Sequence, residues 1–402
     1  MSKPDAATDF ATMAWPEPLD SAEMLRAAQA ETGLTDFGED DSFREGLDRV
    51  VAAIEAENPS DYLRADARAR MLHQLTSRLR LAEDLRQHPE IGDIEIEKPV
   101  FVMGLPRSGT TVTFDMLALD RRFRWPRDWE WMIPWPAAEA ATIDTDPRIA
   151  MLKPISDRMI EAAPELAAVH RIGFDAPGEC NTGMMYHFSS ANYYAEFGVK
   201  DHAEWLIEVG APDGIYRDHL RMVRQMSWKG PKGRWIFKAP QHLSGVGALL
   251  ETYPDASLVW NHRDPVKAFS SLSSMVVLVQ KSVRLDPDPQ EVGDMVVRQW
   301  SSALMRATQF RKEHPESEAV ITDIAHRDIV RDPVEQVRKI YAGIGEDFSG
   351  DDAAAVAQFQ SGNSKAQRLG KHKHTPEDFG IDVDKVRRDL APYYDRFGDL
   401  LA

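Results

Sequence analysis

Residues 101–111, FVMGLPRSGTT, constrain the chain more than any other stretch, because they set a bend of small residues between an apolar segment and the start of a helical one. Gly104 and Gly109 stand five apart, in the G-x-x-x-x-G frame that lets a backbone curl its N–H groups around an anion. Such a curl tolerates little side-chain bulk, which is why glycine recurs in it. A helix beginning at Thr110 adds the positive end of its dipole. The segment is therefore expected to be a strand, a phosphate-binding loop and a helix in succession. The plainer reading is a glycine-bearing turn with no ligand.

A unit of this kind needs a sheet around it. Short β-branched or aromatic runs followed by helical segments recur at 99–103 with 110–119, 235–238 with 243–252, 257–261 with 265–281, and 319–324 with 333–344. This alternation predicts an α/β fold, a mainly parallel central sheet with helices on both faces. Residues 17–92 read as helical: Phe43, Leu47, Val50, Val51 and Ile54 share one face, and Met71, Leu72, Leu75 and Leu79 share another. Ser42 is placed to cap the second helix and Gly33 to end the first. These faces are expected to pack on the sheet. The resulting division is an N-terminal helical subdomain (1–95), an α/β core (96–350) and a C-terminal segment of helix and basic loop that closes on the ligand (351–402). Within the core, residues 121–232 form a Trp- and Pro-rich helical insertion, a natural place for an acceptor-binding lid.

Two further strand ends carry polar residues. In 257–271, SLVWNHRDPVKAFSS, Arg263 ends a strand and Ser271 follows eight residues later in the next helix, which Asp264 and Pro265 are suited to start. In 234–243, RWIFKAPQHL, Lys238 ends another. Ligands gather at the carboxyl ends of parallel strands, so all three sites face one cleft.

These residues resemble the sulfotransferase superfamily, whose donor loop reads P-[RK]-S-G-T-T and is matched by Pro106, Arg107, Ser108, Gly109, Thr110 and Thr111. The phrases at 32–37, 129–131 and 379–380 are similar to its large bacterial branch. The resemblance implies that 3'-phosphoadenylyl sulfate (PAPS) is the sulfuryl donor, its 5'-phosphosulfate held by the loop and its 3'-phosphate by Arg263 and Ser271. It also implies that Arg107 and Lys238 stabilise the reacting group, and that a late basic loop, here with Lys371 and Lys373, closes over the 3'-phosphate. Thr110 stands where a nucleoside-triphosphatase has lysine. A phosphate-loop kinase or triphosphatase is thus one alternative, and an inactive nucleotide sensor another.

In-line transfer to a hydroxyl needs a base. Glu130, between Trp129 and Trp131, is the first choice, and it lies about as far beyond the loop as the catalytic glutamate of the tyrosylprotein branch; His242 is the second. His170 and Glu179 are further candidates, each read first as structural. Trp125, Trp129, Trp131 and Trp135 are read as core packing or as an indole-lined mouth, which would suit a small apolar or aromatic acceptor. Side-chain cations are expected to suffice without a metal. A net charge of -17 argues against nucleic acid as a partner, and the single cysteine, Cys180, excludes an intrachain disulfide. The acidic first residues lack an export signal, and no apolar run approaches the roughly 20 residues a membrane span needs. A cytoplasmic protein is expected, of undetermined oligomeric state.

Overall fold

The computed structural model of the chain describes residues 15–169, 171–366 and 374–401. Three helices come first, α1 (Ser21–Thr32), α2 (Phe43–Ala56) and α3 (Asp61–Gln87). Helix α1 stops at Gly33, which takes the left-handed conformation (φ 72°) and returns its N–H to the Gln29 carbonyl. The anticipated faces are the buried ones: all five positions of α2, and Met71, Leu75 and Leu79 of α3, with Leu72 half-buried.

Two expectations about this region are corrected. Ser42 stands at the start of α2, but its hydroxyl shares a hydrogen bond with His187 Nε2 at 3.0 Å instead of capping the helix. The apolar faces meet the insertion, at Met185, Phe188, Tyr193 and Phe197, and not the sheet. A buried ion pair fastens this junction. The Arg78 guanidinium of α3 pairs with the Asp218 carboxylate, donates to the Asp40 carbonyl at 2.9 Å and lies 3.9 Å from the centre of the Phe43 ring.

The sheet has five strands: β1 (Val100–Gly104), β2 (Phe123–Arg124), β3 (Arg234–Lys238), β4 (Ser257–His262) and β5 (Ile321–Ala325). They lie in the order β2-β3-β1-β4-β5 and every pairing is parallel. β1 is therefore central, with β3 on one flank and β4 on the other. Strand β2 lies inside the insertion, and two residues are too few to give an alternating pattern in the sequence.

Helix α4 (Thr110–Leu117) follows the loop, and the insertion holds α5 (Asp128–Met132), α6 (Pro147–Ala162), α7 (Pro164–Val169), α8 (Cys180–Met184), α9 (Asn192–Phe197), α10 (Lys200–Val209) and α11 (Ile215–Lys229). Beyond β3 come α12 (Val246–Thr252), α13 (Pro265–Ser282) and α14 (Pro289–Glu313). The chain closes with α15 (His326–Arg331), α16 (Pro333–Ile344), α17 (Gly350–Ala366), α18 (Val383–Asp389) and α19 (Ala391–Leu401). Helix α14 was not foreseen, because the rule of one helix per strand leaves no place for a second between β4 and β5.

Side chains alternate across the sheet as a pleat requires. Phe101, Met103, Phe237 and Trp260 face one layer, which includes Met222 and Val223 of α11, Phe269 of α13 and Leu304 of α14. Val100, Val102, Ile236 and Val259 face the other, with Phe114 of α4 and Val337 and Ile340 of α16. Both faces are thus covered, as a parallel sheet demands. No helix among the described residues is long and apolar enough to cross a membrane.

Candidate active site

The loop after β1 is shaped by what surrounds it. Gly104 has φ 147°, and a Cβ there would lie 2.4 Å from the Asn261 carbonyl oxygen of the neighbouring strand β4. A backbone oxygen in a paired strand cannot move aside cheaply, so Gly104→Ala is expected to destabilise the fold by about 2 kcal/mol or more, measured by denaturant titration. Gly109 has φ 93° and leaves room for the His326 ring, 3.1 Å from where its Cβ would sit. Arg107, which is not a glycine, holds φ 69°, a conformation that costs about 1–2 kcal/mol. Ser108 is fully buried, and its Oγ has no protein partner among the described residues. An unpartnered buried hydroxyl at the start of a helix fits an anionic oxygen.

The second polar strand end meets the first. Arg107 Nε donates to Ser271 Oγ at 3.2 Å, and Arg263 Nη1 donates to the Arg107 carbonyl. Burial lowers the pKa of both guanidinium groups, and the Arg107 charge lowers that of Arg263 further. His326, the first residue after β5, is pulled down to about 4, by burial first and then by Arg263, Arg107 and Lys267. Burial is the leading cause in each case, and the mutual repulsion that adds to it at Arg263 and His326 shows that the positive groups stand close together, as an anion site requires. The motifs passed over His326, whose one sequence signal is its place immediately after a strand.

On the other flank, Lys238 closes β3 with its side chain 1% exposed. Its ammonium donates to Thr111 Oγ1 at 3.2 Å and pairs with the Glu179 carboxylate. Glu179 arrives on a segment that lies along residues 126–129: Asp128 N–H donates to the Ala176 carbonyl at 3.0 Å and Gly178 N–H to that of Pro126 at 2.7 Å. Arg171 ties the segment to α4 through both Asp115 oxygens at 2.9 Å and to the Pro177 carbonyl at 2.8 Å.

A model of the family described as "Sulfotransferase family" matches residues 99–350. The chain belongs to the sulfotransferase family. Similar solved structures cover nearly the whole of this sulfotransferase-family chain. Sulfotransferase STF9 from Mycobacterium avium has a TM-score of 0.82 and 24% identity, covering 95% of this chain and 98% of its own. Sulfotransferase STF1 from Mycobacterium tuberculosis H37Rv has a TM-score of 0.78 and 25% identity, covering 94% and 100%. A search of curated proteins gives no match.

Several expected site residues of this sulfotransferase-family chain lie elsewhere. Glu130 is 1% exposed; one carboxylate oxygen pairs with Arg124 and the other accepts the Arg127 N–H at 2.9 Å at the start of α5. With both oxygens engaged inside the fold, it is corrected to a structural residue. His242 is fully buried, bonded through Nδ1 to the Tyr216 hydroxyl at 3.0 Å and set edge-on to Phe101; burial holds it neutral. It too is enclosed in the core, where its Nε2 has no partner among the described residues. Trp129 and Trp131 are 0% exposed, so the indole-lined mouth is replaced by core packing at those two positions. His170, Lys371 and Lys373 lie outside the described residues. His374, which follows the basic stretch, shares a 2.8 Å hydrogen bond with Ser270 beside Ser271. The half-buried carboxylate of Asp128, next to Glu179, went unnoticed because its neighbour Glu130 matched the expected spacing.

Proposed function

We propose that the chain transfers a sulfuryl group from PAPS to the hydroxyl of a small molecule. One observation carries this reading: the phosphate loop with Arg107 touches the Arg263 and Ser271 pair, so cations suited to two separated anionic groups share one cleft. A nucleotide phosphorylated at both the 5' and 3' positions matches that pattern. Pro106, Ser108, Gly109, Thr110 and Thr111 would line the 5' end with their backbone and hydroxyls, and Arg107 would grip it with a planar donor fork. Arg263 and Ser271 would take the 3'-phosphate, joined by Lys371 and Lys373.

The donor supplies an activated sulfuryl group. Lys238 sits on the opposite flank of the loop and would donate to the oxygen that is left when the sulfur–oxygen bond breaks. Positive side chains fill the role a metal has in kinases, and none is invoked. The insertion 121–232 is proposed to cover the acceptor, residues 1–95 to support it and 351–402 to close on the donor. With Trp129 and Trp131 in the core, Trp125 and Trp135 are the half-buried indoles left to line a mouth, and a small apolar or aromatic alcohol is the proposed acceptor. The charge of -17 favours a small acceptor over nucleic acid, and a cytoplasmic setting remains part of the proposal.

Thermal shifts test the donor. Adenosine 3',5'-bisphosphate is expected to raise the melting temperature more than ATP with magnesium does, and Arg263→Ala to reduce that shift. A larger shift with ATP and magnesium would point to a kinase or triphosphatase. Transfer of labelled sulfate from PAPS to a panel of alcohols and phenols separates the enzyme from an inactive sensor.

A further inference from the structure

The side of the cleft beyond Lys238 holds carboxylates that the donor site does not use. Asp128, the first residue of α5, is half-buried and accepts a hydrogen bond from the Glu179 backbone N–H. Its main chain is pinned to the Ala176 carbonyl. Gly178 lies so close that a Cβ there would come within 2.8 Å of both Asp128 N and Oδ1. Asp128, Glu179 and Lys238 therefore form one fixed group beside Thr111 of the loop.

We propose that Asp128 is the base that takes the acceptor's proton, while Glu179 is a positioning residue that holds Lys238 and keeps a negative charge beside Asp128. This inference rests on the sulfuryl-transfer reading above. As the acceptor oxygen bonds to sulfur, its proton passes to an Asp128 carboxylate oxygen. The bond from sulfur to the donor's phosphate oxygen breaks, its electron pair stays on that oxygen, and Lys238 donates a hydrogen bond to it. Asp128 later returns the proton to water. Glu179 is the less suitable base because its carboxylate is engaged by Lys238, and a proton arriving there would break the pair that aligns the cation.

The electrostatics agree with the geometry. Asp128 is pushed up to about 7, by burial first and then by the Glu179 charge, against the opposing pull of Lys238 and Arg171. Glu179 and Arg171 face it from the segment ahead of α8, and Lys238 from β3; Asp115 of α4 is tied to Arg171. A base works only unprotonated, so kcat/KM is expected to rise with pH through about 7 and to fall about tenfold per unit below it. Glu179→Gln removes a negative neighbour and leaves the Lys238 charge unopposed. Both changes lower the Asp128 pKa, so the acid limb moves to lower pH.

The test uses the full chain, PAPS and an acceptor from the panel above. Asp128→Asn keeps the hydrogen-bond acceptor for the Glu179 N–H and is expected to lose about 10²-fold or more in kcat while binding adenosine 3',5'-bisphosphate as the wild type does. Carbon-13 NMR of the free wild type is expected to show one aspartate carboxyl titrating near 7, a signal absent from the variant. Near wild-type turnover in Asp128→Asn, or an acid limb that Glu179→Gln abolishes instead of shifting, would overturn the assignment. A wild type that neither binds the bisphosphate nor transfers sulfate would overturn the sulfuryl-transfer reading itself, and with it the base.

Discussion

Lys238→Ala is expected to lower kcat for sulfuryl transfer by about 10²–10³-fold while the affinity for adenosine 3',5'-bisphosphate stays close to that of the wild type. The ammonium stands at the end of β3, buried and directed at Thr111 of the loop, where it needs no reorganisation when charge develops on the leaving oxygen. Charge that appears mainly in the transition state is best stabilised by a fixed cation in a site closed to water. Single-turnover transfer measured beside calorimetric binding separates the two effects. A variant that turns over like the wild type would remove Lys238 from the mechanism.

Arg78→Ala is expected to cost about 3–5 kcal/mol of stability, because it leaves the Asp218 carboxylate buried without its principal partner. Asp218 is 4% exposed; it keeps a 3.2 Å contact to Arg221, which moderates the loss but does not replace the geometry. The substitution also removes the guanidinium from the Phe43 ring and from the Asp40 carbonyl, contacts that tie the N-terminal helices to one another, whereas the pair with Asp218 is the one that reaches the insertion. Urea unfolding of the variant provides the measurement. A cost below about 1 kcal/mol, the range of an exposed pair, would contradict this reading of the junction.

Much of the architecture was legible because parallel strands leave a direct trace. Residues 100–104, 234–238 and 257–262 are short apolar runs, and the polar residues that follow each are those the cleft collects: the loop, Lys238 and Arg263. The loop itself is legible because Gly104 and Gly109 answer to local sterics that any sequence must satisfy. What the sequence concealed depends on long-range contacts. Arg124 claims the Glu130 carboxylate, whereas the Asp128 carboxylate lies against the Glu179 N–H, next to the Lys238 pair. Spacing alone does not distinguish two acids a helical half-turn apart. His242 has the composition of a catalytic residue, yet the chain turns it beneath Phe101 into the core. The partner of the N-terminal helices was misjudged for the same reason: an apolar face announces that it is buried but not against what.

The most direct measurement of the central claim is an electron-density map of the chain with adenosine 3',5'-bisphosphate bound. The 5'-phosphate is expected against the backbone of residues 104–111 and Ser108 Oγ, with the 3'-phosphate on Arg263 and Ser271. A nucleotide bound away from these groups, or one that engages the loop while leaving Arg263 and Ser271 untouched, would contradict it.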